Sequence, residues 1–420
     1  MSEIGAMMRT VPNPYAQILR KPGALQFSSA GVLARFPMSM VGIGIVLMIS
    51  ELYDSYGLAG QVSAVYVVAQ ALCSPQLARL VDRHGQARVM RPALAVSMIG
   101  LVGLILAATS HAGAPLLFAL AIVTGATIGS LGSLVRTRWN AVVTNPRELH
   151  TAYSLESALD EFVFVIGPVL ATILATSVSP SAGLVVAIVA ALVGGYWFLS
   201  LRKTEPAPSP PDAGTPRTSV LRDGAIVSIC IVFVCIGAIF GATDVSVVAF
   251  AEEEGQKGLA GVILGICASG SLISGLLYGA RHWRSSLWRR FAIGVVALAL
   301  GVSLFFLVTS LWVLAAVMFV VGFSIAPTLV NGNALVQQIV PPARLTEGLT
   351  WIGTSLGVGV SFGSSIAGPI IDANGARAGF LVVVASAALA LAAMGTALAS
   401  RRRRDAVVPT IPDPAADPAS

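Results

Sequence analysis

The chain has 420 residues, 55% of them hydrophobic and 11% charged, with a mean hydropathy of +0.83. Roughly a quarter of a soluble domain is charged, so a soluble fold of this composition would leave too much apolar surface wet, and a bilayer is the implied solvent. The net charge of +6 invites a nucleic-acid partner, but the placement of the charges excludes one. Arg and Lys fall at 9–21, 79–91, 136–147, 202–222, 281–290, 344 and 401–404, while Glu51, Asp54 and Glu252–Glu254 mark the opposite loops. Of the basic residues, Arg35, Lys257 and Arg377 alone depart from this alternation. It is the positive-inside pattern, and it places both termini in the cytoplasm.

A polar segment, 1–25, opens the chain. Twelve apolar runs follow, at 26–51, 58–78, 91–110, 115–137, 151–176, 181–201, 224–250, 257–280, 288–309, 311–336, 346–371 and 377–400. Each approaches or exceeds the about 20 residues a spanning helix needs. Gly-, Ala- and Val-rich text without strict alternation favours helices over a barrel. The first run has no small-residue cleavage site before or within it, so it reads as an anchor rather than a cleaved signal. Cys73, Cys230, Cys235 and Cys267 all lie in apolar runs without metal or disulfide spacing and read as buried small thiols.

The Pro-rich stretch 202–222 divides the chain into a first six-helix bundle, 26–201, and a second, 223–400, with a disordered cytoplasmic tail at 401–420. The halves echo one another. Runs 2 and 8 both enter basic loops, runs 4 and 10 both end near a proline, and Gly167 and Gly363 stand equally far beyond Pro146 and Pro342. Duplicated halves are how many secondary transporters build a site at the membrane midplane.

Between runs 2 and 3 the sequence reads Ala78-Arg79-Leu80-Val81-Asp82-Arg83-His84-Gly85-Gln86-Ala87-Arg88, a charged loop in otherwise oily text. Its Asp-Arg-x-Gly core resembles the signature of the major facilitator superfamily, with alanine for the leading glycine and with Arg88 and Arg91 following the lost basic pair. The resemblance covers essentially the whole chain and implies an all-α membrane protein of twelve spanning helices in two pseudo-symmetric bundles. It also implies a cytoplasmic gate of Asp82, Arg83, Gly85 and Arg88. In such a gate Asp82 accepts hydrogen bonds from the positive N-terminus of run 11, near Thr346 and Glu347, and Gly85 permits the turn. Two features of the drug–proton antiporters are missing. Ala121 stands where their run 4 has an arginine, and Gly167-Pro168-Val169-Leu170-Ala171 lacks their glycine pair.

Ionisable groups at bilayer depth cost ~2.5–3.5 kcal/mol each on insertion scales and point to function. Run 5 is richest, with Glu156, Asp160 and Glu161. Glu156 and Asp160 are one helical turn apart, about 6 Å along the axis, on a shared face suited to holding a proton. Asp160 and Glu161 are therefore expected to couple protons or substrate, while Glu156, nearer the surface, fits a gate network with Arg136, Arg138, Arg281 or Arg284. Arg35, beside Phe36-Pro37, reads either as snorkelling to lipid phosphate or as a partner of a run 5 carboxylate. Asp244 reads as a cavity carboxylate or an interfacial acid. Asn331 and Asn333, after Pro327, suit either a ligand or interhelical packing. Gly261, Gly265, Gly275 and Gly279 have helix-packing spacing.

No Walker A, nucleophile elbow or zinc motif occurs, so neither an ATP-driven pump nor an enzyme is expected, and no cofactor. The expected function is secondary active transport of a small organic molecule by alternating access, with proton-coupled efflux favoured. Proton-coupled uptake of a metabolite and a non-transporting membrane sensor or scaffold are the alternatives. The expected partners are a small-molecule substrate, protons and membrane lipid, with the chain acting as a monomer. Abundant alanine and the excess of arginine over lysine point to a GC-rich bacterial source and so to the cytoplasmic membrane.

Overall fold

Long apolar text in a medium without water must satisfy its own backbone, and helices do so within one segment. The computed structural model describes residues 13–208, 219–256, 259–281 and 283–407, and among these there is no strand. Lys257, the middle of the linker at 209–218 and the tail beyond 407 lie outside the described residues, as does the start of the N-terminal segment.

A short helix, α1 (Pro14–Leu19), precedes twelve segments long and apolar enough to span a membrane. The first bundle contains α2 (Ala24–Tyr53), α3 (Tyr56–His84), α4 (Gln86–Thr109), α5 (Ala114–Ile128) with α6 (Leu131–Val142), α7 (Pro146–Ser177) and α8 (Ala182–Ser200). The second contains α9 (Gly224–Glu253), α10 (Ala260–Ala280), α11 (Leu287–Ser303), α12 (Leu311–Ile339), α13 (Leu345–Asn374) and α14 (Ala376–Val407).

Three differences from the sequence reading bear on the site. The charged loop is no loop: α3 continues through His84 and α4 starts at Gln86, leaving Gly85 alone as the pivot at φ 93°. An added Cβ there would stand 3.0 Å from a Glu205 carboxylate oxygen, so both the backbone angle and the space call for glycine. Run 4 is not one helix either. It breaks at Gly129 (φ 67°), which packs against Met90, and α5 and α6 meet there in mid-membrane. Finally, Arg202–Thr204 and Glu205, which composition assigns to the linker, fold onto the first bundle, where Thr204 is buried and Glu205 caps the N-terminus of α4 by accepting from the Ala87 amide at 2.9 Å.

Glycines set how closely helices approach. In the second bundle Gly237 and Gly241 of α9 face the Leu356 and Val360 carbonyls of α13, and Gly359 and Gly363 of α13 face the Val234 and Ala238 carbonyls of α9. The first bundle repeats part of this, with Gly167 of α7 against Ser39 of α2. The echo of Gly167 and Gly363 is thus one shared task, admitting the first span of each half. Gly275 and Gly279 pack as the spacing implies, but Gly261 and Gly265 face open space and have no packing role.

The apolar core divides in an informative way. One cluster lies wholly in the second bundle, and another, around Met40, Ile45, Leu101 and Leu184, wholly in the first. A third joins the halves, packing Phe27, Val135, Trp139 and Leu149 with Val330 and Ala334 of α12. It lies at the end of the bundle that carries Asp82. The halves are therefore sealed at that end.

Candidate coupling centre and gate

Inside the first bundle the costly charges collect into one chain of ion pairs. Arg35, 1% exposed, projects from α2 two residues before Pro37, and its Nε donates to the Gly31 carbonyl at 3.0 Å. Its two terminal nitrogens reach α7, one to Glu156 Oε2 and one to Asp160 Oδ1, each at 2.6 Å. Arg136 of α6 takes the other Asp160 oxygen at 2.7 Å. Two cations and two anions alternate across three helices, so the assembly is electrically neutral while largely out of water. Neutral pairing is the condition under which buried charge is tolerated.

The two carboxylates are not alike. Glu156 is fully buried, and its second oxygen accepts from Ser28 Oγ at 2.8 Å and from Trp139 Nε1 at 2.7 Å. Asp160 keeps 21% of its side chain exposed, and its partners among the described residues are the two arginines. Glu156 is thus built in, and Asp160 is the more exposed member. Glu156 and Asp160 lie on one helix face, as their spacing implies, and Arg35 stands between them.

Glu161 points away from this chain towards the other half, accepting from Ser271 Oγ of α10 at 3.0 Å. Asp244 of α9 is exposed, and it and Glu161 both lie within electrostatic range of Cys267 on α10. Acids from both halves therefore converge at one level.

The gate lies nearer the sealed end. Asp82 Oδ1 and Oδ2 accept from the Thr346 and Glu347 amides, at 3.3 and 3.0 Å, at the N-terminus of α13. Arg79, a position the sequence reading passed over, pairs with Glu347 at 2.8 Å and donates to Ser219 at 2.5 Å. Glu347 also accepts from the Val220 amide at 3.2 Å, so the far end of the linker is bound into the gate. Thr137 meets Thr346, and Gln337 donates to Asn140, across the same interface. Gly85 is the pivot described above. Arg83 is half-buried and Arg88 exposed, and neither has an ion pair among the described residues.

The pseudo-symmetric contact is between the start of α7 and the end of α10. There the chemistry is inverted: His150 and Thr151 side chains contact the Tyr278 and Gly279 carbonyls at 3.2 and 2.8 Å, and no carboxylate of α10 takes part.

Three assignments are corrected. Arg138 is not a gate residue. It binds within the first bundle, to Gln86 at 2.8 Å, the Leu201 carbonyl at 2.9 Å and Thr204 at 3.1 Å, with its guanidinium 3.8 Å above the Phe198 ring. Asn331, 1% exposed, is committed to the Tyr278 hydroxyl and the Pro327 carbonyl, and Asn333, 9% exposed, to the Leu329 carbonyl. Asn331 thus takes the interhelical packing role, while Asn333 bonds within its own helix. Of the arginines expected to meet Glu156, none does, because Arg35 takes that place.

The sequence matches the Major Facilitator Superfamily over residues 27–301 and 285–417. Among curated proteins, none matches the sequence of this chain. Its fold is similar to the crystal structure of the human organic anion transporter MFSD10 (TETRAN), at TM-score 0.70 and 14% identity over 90% of this chain and 100% of that one. It is equally similar to a bacterial homologue of the iron transporter ferroportin in an outward-facing state, at TM-score 0.71 and 14% identity over 90% and 99%. With twelve spans in two repeated halves and a sequence matched from end to end, the chain belongs to the Major Facilitator Superfamily, a family of secondary transporters.

Proposed function

We propose that this protein exports a small organic molecule across a bacterial cytoplasmic membrane by alternating access, with protons as the coupling ion. The observation that carries the reading is the neutral chain Glu156–Arg35–Asp160–Arg136, held deep in the membrane with one member, Asp160, open to exchange. A proton on Asp160 would leave Arg136 without its partner, and Arg136 stands on α6, whose neighbour Thr137 touches α13. Protonation thus has a route to the interface between the halves. The positive-inside pattern assigns the sealed end to the cytoplasm, which makes this arrangement an outward-facing one. Glu161 and Asp244 then stand beside the substrate path, and Arg83 and Arg88 lie at the lipid phosphate level. The transporting unit is a monomer.

Purified protein in sealed vesicles that contain a pH-sensitive dye tests the reading, using compounds first selected by thermal shift at two pH values. A transported compound should move protons against its own flux, and Asp160→Asn should abolish proton movement while leaving the fold intact. If no compound moves protons, or if Asp160→Asn moves them as the parent does, the coupling role is refuted. Movement of compound and protons in the same direction would assign uptake instead.

A further inference from the structure

Helix α1 lies outside the bundle, and the sequence reading assigned it no role. Its placement is nonetheless well determined by chemistry. Asn13 caps it by accepting from the Tyr15 amide at 3.0 Å, and Pro14 supplies a first residue already in helical conformation. Ile18, 1% exposed, joins the apolar cluster of the sealed end. Lys21 pairs with Glu148 of α7 at 2.8 Å. Gly23 then turns the chain into α2 at φ 79°, where a Cβ would stand 2.7 Å from Thr204. Apart from Ile18, whose cluster includes Val330 and Ala334 of α12, these anchors belong to the first half, so α1 moves with it.

One side chain breaks that rule. The Tyr15 hydroxyl donates to the Leu276 carbonyl of α10, in the second half. A carbonyl has two lone pairs, so Leu276 accepts this bond besides its helical one. Its neighbours along α10, the Tyr278 and Gly279 carbonyls, take His150 and Thr151 of α7. The last turn of a helix has carbonyls without helical donors, and here the first half supplies donors to that end. Gly279 makes the approach possible: a Cβ on it would lie 2.3 Å from Ser154 Cβ and 2.7 Å from the Tyr15 hydroxyl. Burial pushes the Tyr15 hydroxyl up to about 12, so it remains a donor throughout the neutral range.

We propose that α1 is a clasp, in which the Tyr15 hydroxyl holds the end of α10 to the first half while the Asp82 end is sealed and lets go when that end opens. The clasp acts on the same rocking motion as the transport reading and rests on it, but it needs no substrate and no coupling ion. It is an addition to the Asp82 contact, on the opposite, pseudo-symmetric seam, and it comes from a segment before the first span.

The test measures the distance between the halves. Spin labels are placed at Thr144→Cys and Arg284→Cys, both exposed positions at the sealed end, with Cys73, Cys230, Cys235 and Cys267 replaced by alanine. Double electron–electron resonance on the full chain in lipid nanodiscs then gives the ratio of open to closed populations. Tyr15→Phe should raise that ratio roughly fivefold, the effect of one net hydrogen bond. Gly279→Ala should also raise it, because the added methyl group intrudes on both Ser154 and Tyr15. If Gly279→Ala opens the end and Tyr15→Phe leaves the ratio unchanged, the clasp is refuted and the rocking motion stands. If neither variant changes the distances, the halves do not rock about this seam, and the clasp fails along with the motion it rests on.

Discussion

Glu156 and Asp160 differ by one helical turn, yet their replacement should have separable consequences. Glu156→Gln keeps the shape but removes the charge that balances Arg35, whose guanidinium is 1% exposed. Arg35 and Arg136 must then share Asp160 alone, leaving one uncompensated positive charge deep in the bundle. Breaking a buried pair in this way costs about 3–5 kcal/mol. The new amide also sets an N–H donor against donors already present, Ser28, Trp139 or Arg35. Asp160→Asn leaves the Arg35–Glu156 pair whole; Arg136 is itself 8% exposed, but the replaced side chain is 21% exposed and keeps a carbonyl acceptor for it, so about 1–2 kcal/mol is expected. For a unit the size of one half, each kcal/mol is about 2–4 °C in Tm. Thermal unfolding in detergent, followed by tryptophan fluorescence, should therefore show Glu156→Gln lower by roughly 10 °C and Asp160→Asn lower by roughly 4 °C. Vesicle proton movement should order them differently, with Asp160→Asn inactive though folded. Equal melting temperatures, or Asp160→Asn the less stable, would refute the division into a built-in and an exchangeable carboxylate.

Two further outcomes follow from the interfaces. Asp82→Ala removes the acceptor for the Thr346 and Glu347 amides, a loss comparable to a helix N-cap at about 1 kcal/mol, so the labels at the sealed end should report roughly fivefold more open population; Arg138→Lys, confined to the first bundle, should lower Tm without moving that ratio. In the α9–α13 seam, Gly241→Ala places a Cβ 2.0 Å from the Val360 carbonyl and should cost at least about 1–3 kcal/mol by overpacking. Gly357→Ala, on α13, meets nothing within 4 Å and should be neutral or stabilising by up to about 1 kcal/mol; similar melting temperatures for the two would refute the seam.

What was legible in the sequence was what hydropathy and charge sign encode. The spans, the division into halves and the approach of Asp82 to the start of α13 needed only length, the alternation of basic loops and one motif. Helix rotation was not encoded in those terms. Arg136 and Arg138 look equivalent in a charge scan, yet residues two apart do not share a helix face, so only one of them could meet α7, and the spacing does not say which. Asn331 and Asn333 stay open between ligand and packing in the sequence because polarity near a proline says nothing about direction. Ser28, Trp139 and Tyr15 were missed because they are uncharged, and each acts through one hydrogen bond to a residue distant in sequence. Arg79 was overlooked because the motif draws attention to its neighbour Asp82.

The two halves share a plan but not a division of labour. The second bundle is closed on itself by four glycines that bring α9 and α13 into backbone contact, and its one acid at mid-span, Asp244, is exposed. The first bundle has a single close approach at the matching place, Gly167 on Ser39, and threads its ionic chain through the helices that the glycines would otherwise have drawn together. Duplication therefore supplied one frame twice, and the copies diverged into a stiff partner and a chargeable one. The gate shows the same split. On one seam a carboxylate of the first half binds backbone amides of the second; on the other, side chains of the first half bind backbone carbonyls of the second. The second half also brings side chains to the Asp82 seam, Glu347 to Arg79 and Gln337 to Asn140, whereas at the other seam the first-half side chains meet backbone carbonyls of α10.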